Sequence, residues 1–254
     1  MKPATNFRSG RSFFDDPGPG FATFGVGPRR LYLRRDLGSA APAIFARLGQ
    51  ISAARTGGAG NRSSGFAVEI DGTPPLFARR ARRGGLVRLL MKDLFFGLQP
   101  RPVRELIVAT EAHRRGIPVA EPVGALVEWA GPAFYRGMFL TRALAGMTLW
   151  QFVRTDDDAM VRAHVVAQMR RAIDTMHQMG LWHADLNMFN LFVAQVGESF
   201  VPVILDLDKA RFFRGPVPSR PRRRNFERLA RSVHKLDPEQ RFLDKCLLEI
   251  LVSG

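Results

Sequence analysis

The sequence predicts an α+β protein in two lobes, an N-terminal antiparallel sheet carrying one helix and then a mainly helical C-terminal lobe. Three observations lead there. Strand-like segments dominate up to residue 140, among them the alternating Phe66, Val68 and Ile70. A long regular helix follows, with Val161, Val165, Met169, Ile173 and Met176 spaced four, four, four and three apart. The change between the two patterns falls near residues 141–146 and divides residues 41–142 from 143–254.

Taken in order, residues 1–40 mix Pro, Gly and Arg without a sustained period and read as a partly ordered arm, with a short strand near 30–33. A Gly/Ser stretch over 56–65 precedes Phe66, Val68 and Ile70, Asp71-Gly72 supplies a turn, and Leu76-Phe77-Ala78-Arg79 returns. That is strand, hairpin, strand. The basic, Gly-containing segment 79–85 closes this sheet region. A helix spans 104–115, with Pro102 placed to start it and Gly116 to stop it. Strands follow at 123–129 and 134–140. The helix over 158–179 runs into Gly180, 201–205 reads as a short buried strand, and 225–235 and 239–252 are helical. No internal repeat is visible.

At 254 residues and 46% apolar, the chain can bury a full core. No run of 18 apolar residues exists, so no spanning helix is expected. Lys2 and Arg8 are followed by no apolar stretch before Asp15 and Asp16, which is not the pattern of a secretory signal. The single cysteine, Cys246, allows neither an intrachain disulfide nor a cysteine zinc site, and suits a reducing cytoplasm. The net charge is +15, and arginine supplies 33 of the 38 positive side chains. Preference for Arg over Lys often reflects a GC-rich genome, but the total charge still asks for an anionic partner: nucleic acid, an anionic membrane or a phosphorylated substrate.

Two segments carry chemistry. The first is Leu181-Trp182-His183-Ala184-Asp185-Leu186-Asn187-Met188-Phe189-Asn190, running into the apolar Leu191-Phe192-Val193. The second is Val203-Ile204-Leu205-Asp206-Leu207-Asp208-Lys209. Transfer of a phosphoryl group to a hydroxyl needs a carboxylate beside the attacking oxygen and ligands for the metal on the β- and γ-phosphates. Asp185 suits the first task, and Asn190, five residues on, can turn back to the metal. Asp206 ends a buried strand 16 residues after Asn190, room for a strand, a turn and a returning strand that bring the two together. Each piece alone is common; the joint order, behind a long amphipathic helix, is rare.

These segments resemble the bacterial lipopolysaccharide core kinase family, and within it the branch acting on 3-deoxy-D-manno-octulosonic acid (Kdo). Protein kinases usually carry Lys two residues after the catalytic Asp, where this chain has Asn187 as the lipopolysaccharide kinases do. Asp206-Leu207-Asp208-Lys209 is close to the family's Asp-Phe-Asp-Lys. Arg83-Gly84-Gly85-Leu86 and the stretch Asn225-Phe226-Glu227-Arg228-Leu229 through Ser232 resemble two further family segments. The likeness runs from about residue 55 to 236.

The resemblance implies a protein-kinase-like fold that uses ATP and Mg²⁺ to phosphorylate a Kdo hydroxyl on a Kdo–lipid A precursor. Asp185 would be the catalytic base or acceptor-orienting carboxylate, and Asn190 and Asp206 would hold Mg²⁺. His183 would orient the loop rather than carry protons. Asp208 is open between a second metal or substrate contact and a structural role. No lysine lies between residues 3 and 91, so Arg79 takes the place of the usual strand lysine at the α/β-phosphates, with Glu105 as its partner. Gly58 and Gly60, in the loop 57–65, would cover the phosphates with backbone N–H groups.

Arg79, Arg80, Arg82 and Arg83, and the later Arg211, Arg214, Arg220, Arg222, Arg223 and Arg224, read as solvated charge or as contacts to an anionic glycolipid and bilayer. The second cluster, with Phe212, Phe213, Pro216 and Pro218, is expected to form a loop on the cytoplasmic face of the inner membrane. Trp182 and Phe189 are read as core. Two alternatives stay open at this point: a heptose kinase of the same core, and an inactive kinase fold that binds nucleic acid or regulates. The three residues Asp185, Asn190 and Asp206 argue against the inactive reading, and no nucleic-acid partner is expected.

Overall fold

The computed structural model describes residues 17–54, 65–81 and 94–252, which fall into two units. The first comprises residues 1–107 and 121–143, the second residues 108–120 and 144–254.

In the first unit, β1 (Phe21–Val26) and β2 (Arg29–Arg34) form a hairpin. After a 3-10 turn, α1 (Ala41–Ala54) leads on to β3 (Gly65–Val68), β4 (Leu76–Arg80) and β5 (Phe95–Phe96). Then come α2 (Arg101–Arg114), whose residues from Val108 on count to the second unit, β6 (Pro122–Trp129) and β7 (Phe134–Arg142). The strands form one antiparallel sheet in the order β1-β2-β6-β7-β4-β3, with β5 also on β7. The first six residues of β6 are all buried, as an apolar run with no polar alternation requires of a strand covered on both sides. One core places Ile44, Phe45 and Leu48 of α1 against Leu31 and Leu33 of β2, Leu76 and Ala78 of β4, and Leu140 of β7. Truncating a fully buried leucine such as Leu48 costs about 2–5 kcal/mol.

Two sequence expectations need correction here. Residues 21–34 are not an arm apart from the sheet: they supply two of its strands, turning at Gly27-Pro28, where Gly27 takes φ +56°. Helix α1, unanticipated, carries Pro42 in its first turn, where the missing N–H costs nothing. Helix α2 also starts three residues before the expected position, its first N–H donating to the Tyr135 hydroxyl at 3.0 Å.

The second unit holds β8 (Gly146–Thr148), α3 (Leu149–Thr155) and α4 (Ala159–Gln178), then β9 (Leu181–Trp182), β10 (Leu191–Val196), β11 (Ser199–Ile204) and β12 (Arg211–Phe212). It ends with α5 (Ser219–Leu236) and α6 (Lys245–Val252). Strand β10 pairs with β11 on one side and β8 on the other, and β9 pairs with β12. Asp158 caps α4 by accepting from the N–H groups of Met160 and Val161 at 2.8 and 3.2 Å. Of the periodic α4 positions, Val165, Met169, Ile173 and Met176 are buried.

The helix expected over 239–252 begins only at Lys245. Asp237 competes with it, accepting from the N–H groups of Arg241, Phe242 and Leu243 at 2.8–2.9 Å. Burial pushes the Asp237 carboxyl up, but these three donors outweigh it and hold its pKa below the usual carboxylate value. The expected α+β class, with a sheet-rich and a helix-rich part, is the class observed.

Candidate active site

Helix α4 is stopped at Gly180, whose φ is +83° and where an added Cβ would lie 2.5 Å from the Gly215 carbonyl. No other residue fits that turn without strain. Two residues of β9 then deliver His183, which is 1% exposed.

Both ring nitrogens of His183 are committed. Nε2 lies 2.9 Å from the Leu205 carbonyl, and Nδ1 lies 3.1 Å from the Asp185 N–H. A carbonyl can only accept and an N–H can only donate, so Nε2 carries the proton and Nδ1 is bare. Burial pushes the pKa of this ring below the usual histidine value, although the Leu205 bond and the charges of Asp206 and Asp185 act the other way. The ring is therefore neutral, and a proton arriving at Nδ1 would break the bond that places Asp185. Both carboxylates act electrostatically on this one ring.

The loop closes on itself through amides. Nδ2 of Asn187 and Nδ2 of Asn190 both donate to the Asp185 carbonyl, at 2.9 and 2.8 Å. The Asn187 Oδ1 accepts from the Phe189 N–H at 3.0 Å. The backbone of Asn190 accepts from the Leu205 N–H at 2.8 Å, a bond that brings Asp206, one residue on, beside Asn190. With its Nδ2 tethered, Asn190 retains Oδ1 as the atom able to ligate a cation. The Asp185 side chain is 58% exposed.

Asp206 follows β11 with φ +61°, the left-handed region that Asp tolerates at a cost of roughly 1–3 kcal/mol. It is half-buried, as is Asp208. Among the described residues, no group of three His, Cys, Asp or Glu side chains forms a metal cage. The donor set here is carboxylate plus amide oxygen. That suits Mg²⁺, which takes one or two protein carboxylates and completes its shell with phosphates and water.

Helix α5 supplies what the sequence motif does not. Asn225, buried, donates from Nδ2 to the His183 carbonyl at 2.5 Å. Its Oδ1 must then face His177, 2.9 Å away, so Nε2 of His177 is the donor. Burial pushes the His177 pKa down as well. Three residues along, Arg228 Nη1 lies 3.3 Å from Asp185 Oδ1; four further on, the Ser232 hydroxyl accepts from the Met188 N–H at 3.3 Å. Spacings of three and four put these residues on one edge of the helix. The order Asn225…Arg228…Ser232 was visible in the sequence, but a polar triplet in an Arg-rich helix carries no signal that it reaches a loop 40 residues earlier.

Three further expectations fail. Phe189 is 53% exposed and not core, its N–H held by the Asn187 Oδ1. Trp182, half-buried, donates from Nε1 to the Pro221 carbonyl at 3.1 Å and carries Arg211 over its ring. Arg220, Arg222, Arg223 and Arg224 do not lie in a loop: they occupy the first turns of α5 and are exposed.

In the first unit, Arg79 on β4 and Glu105 on α2 form an ion pair, Nη2 to Oε1, at 2.5 Å. The Glu105 side chain is buried and Arg79 is the more accessible partner. Gly58 and Gly60 lie outside the described residues.

The model of the lipopolysaccharide kinase (Kdo/WaaP) family matches residues 59–245. A protein named 3-deoxy-D-manno-octulosonic acid kinase from Xylella fastidiosa (strain 9a5c) is 34% identical over 186 residues, 71% of this chain and 70% of that protein. One of the same name from Xylella fastidiosa (strain M23) is 31% identical over 185 residues, again 71% of this chain and 70% of the relative. A solved structure described as WaaP in complex with acyl carrier protein is 19% identical, with a TM-score of 0.49 and 89% of each chain covered.

Proposed function

The chain belongs to the lipopolysaccharide kinase (Kdo/WaaP) family, and we propose that it transfers the γ-phosphoryl group of ATP to a hydroxyl of Kdo on a Kdo–lipid A precursor. The observation that carries this is the fixing of Asp185. Its N–H is held by His183 and its carbonyl by two amides, while its carboxylate faces solvent. A carboxylate held so firmly at its backbone and open at its tip is suited to receive a substrate hydroxyl.

The acceptor oxygen attacks Pγ, the bond from Pγ to the bridging oxygen breaks with its electron pair leaving on ADP, and Asp185 takes the hydroxyl proton. Asn190 Oδ1 and Asp206 would hold Mg²⁺, which when bound offsets charge on the phosphates. Asp208 is a candidate for an additional contact. Arg79, kept in place by Glu105, is the cation assigned to the α/β-phosphates. An arginine can meet two phosphate oxygens at once, where lysine offers a point charge.

The exposed arginines at the start of α5 support placement at an anionic inner-membrane surface, cytoplasmic side, where the lipid acceptor is embedded. Each basic group close to such a surface contributes about 1 kcal/mol. Four arginines opening a helix oppose its own dipole, a cost that a nearby anion would offset.

Incubating the purified chain with ATP, Mg²⁺ and Kdo–lipid A tests the reading, with mass spectrometry of the glycolipid. One added phosphate that maps to Kdo after mild acid cleavage is expected. Phosphate appearing only on a heptose-containing acceptor, or on none, overturns it.

A further inference from the structure

Transfer of a phosphoryl group leaves charge on three equatorial oxygens, and enzymes meet it with a cation placed at the group in flight. The loop 183–190 contains no lysine or arginine. Position 187, two residues beyond Asp185, is an asparagine whose side chain is spent on the Asp185 carbonyl and the Phe189 N–H. The loop itself thus brings no positive charge to its own carboxylate.

Helix α5 does. Arg228 Nη1 is 3.3 Å from Asp185 Oδ1, and the side chain is 44% exposed. It is not a buried structural ion pair. Its helix is pinned on both sides of it, by Asn225 to the His183 carbonyl and by Ser232 to the Met188 N–H. The carbon stem therefore starts from a fixed point while the guanidinium stays open to a ligand. A guanidinium with five donors can hold one carboxylate oxygen and still offer N–H groups to a phosphate.

We propose that Arg228 is a catalytic cation, delivered from outside the loop: it pairs with Asp185 at rest and holds the γ-phosphoryl oxygens during transfer. This inference rests on the phosphotransfer reading above. The step balances as already written, with the acceptor oxygen to Pγ bond formed, the Pγ to bridging-oxygen bond broken, and the proton passing to Asp185. Arg228 gains and loses no bond other than hydrogen bonds. Holding Oδ1 also directs the incoming proton toward Oδ2.

The test measures Arg228→Ala and Arg228→Lys for transfer to Kdo–lipid A and for slow ATP hydrolysis without acceptor, with thermal melting to verify folding. Arg228→Ala is expected to lower kcat in both reactions by roughly 100- to 1,000-fold with little change in either KM. Free guanidinium ion should restore part of the loss, and lysine should retain part of the rate. Arg231→Ala, which removes the same charge from an exposed position three residues on, should stay within about twofold of the parent rate. A loss confined to the acceptor KM with hydrolysis unchanged would make Arg228 an acceptor contact and overturn the proposal. So would a rate unaffected by Arg228→Ala, or an equal loss in Arg231→Ala. If the parent chain hydrolyses ATP but phosphorylates no Kdo, the sugar assignment falls while the hydrolysis arm still decides Arg228. A parent chain that does neither overturns both.

Discussion

His183 and Leu205 are joined by one hydrogen bond, ring Nε2 to carbonyl oxygen at 2.9 Å, across 22 residues of sequence. Leu205 also donates its N–H to the Asn190 carbonyl, so one residue is clamped by both ends of the 183–190 loop. Asp206 comes next, at φ +61°. The placement of that carboxylate is thus inherited from the loop, and its consequences can be measured.

Asp206→Asn should separate chemistry from fold. Asparagine adopts the left-handed region as readily as aspartate, so the melting temperature should stay within about 2 °C. Phosphoryl transfer should fall by roughly 100-fold or more, because the carboxylate charge is gone. Retained turnover, measured by ADP release, would remove Asp206 from the site.

Asn225→Ala should show the reverse mixture. It strips a buried donor from the His183 carbonyl and a buried acceptor from His177 Nε2. We expect about 2–3 kcal/mol of stability lost in urea unfolding, together with a lower kcat and a nearly unchanged KM for ATP. Asn225→Asp should be no better, since a carboxylate cannot donate to a carbonyl. An aspartate variant of parent stability would refute the assigned amide orientation.

Acid should destabilise the second unit in a defined window. Burial holds the pKa values of His183 and His177 below the ordinary 6.5 in the folded chain. Between the folded and unfolded values the unfolded chain binds more protons, so stability is fully present above pH 6.5 and falls as pH drops below it. A melting temperature that is level from pH 7 to 8 and declines below 6.5 is expected, with a shallower decline in His177→Gln. A flat profile down to pH 5 would count against two neutral buried rings.

Arg79→Ala should raise the KM for ATP by about tenfold or more, the worth of one charge-assisted hydrogen-bond pair, with a smaller change in kcat. Arg79→Lys should recover part of it. An unchanged KM would mean that a different residue grips the phosphates.

What could be read from the sequence followed from contiguity. His183, Asp185 and Asn190 lie within eight positions, and their chemistry is local: short side chains bonding backbone two to five residues away. The Arg79–Glu105 pair is legible only through the likeness to kinases, which pair a strand cation with a carboxylate on the following helix. Of the hairpin at 21–34 only the second strand, expected near 30–33, is legible; the first is hidden, although Phe21 and Thr23 alternate as Leu31 and Leu33 do, because the surrounding Pro and Arg read as an arm. Helix α1 was obscured by Pro42 and Gly49, breakers by type that the core around Ile44 and Leu48 overrides. The hold of α5 on the loop was not legible, because it depends on which face of a helix meets which carbonyl.

That hold has a consequence for how such chains are recognised. Asn225, Arg228 and Ser232 work as a ruler: inserting a single residue between Asn225 and Arg228 swings the downstream pair about 100° around the axis. A homologue truncated after Lys209, or carrying such an insertion, would still spell His-x-Asp-x-x-x-x-Asn and Asp-x-Asp in full. It would pass any inspection of the motif, yet lack the brace that gives those letters their geometry.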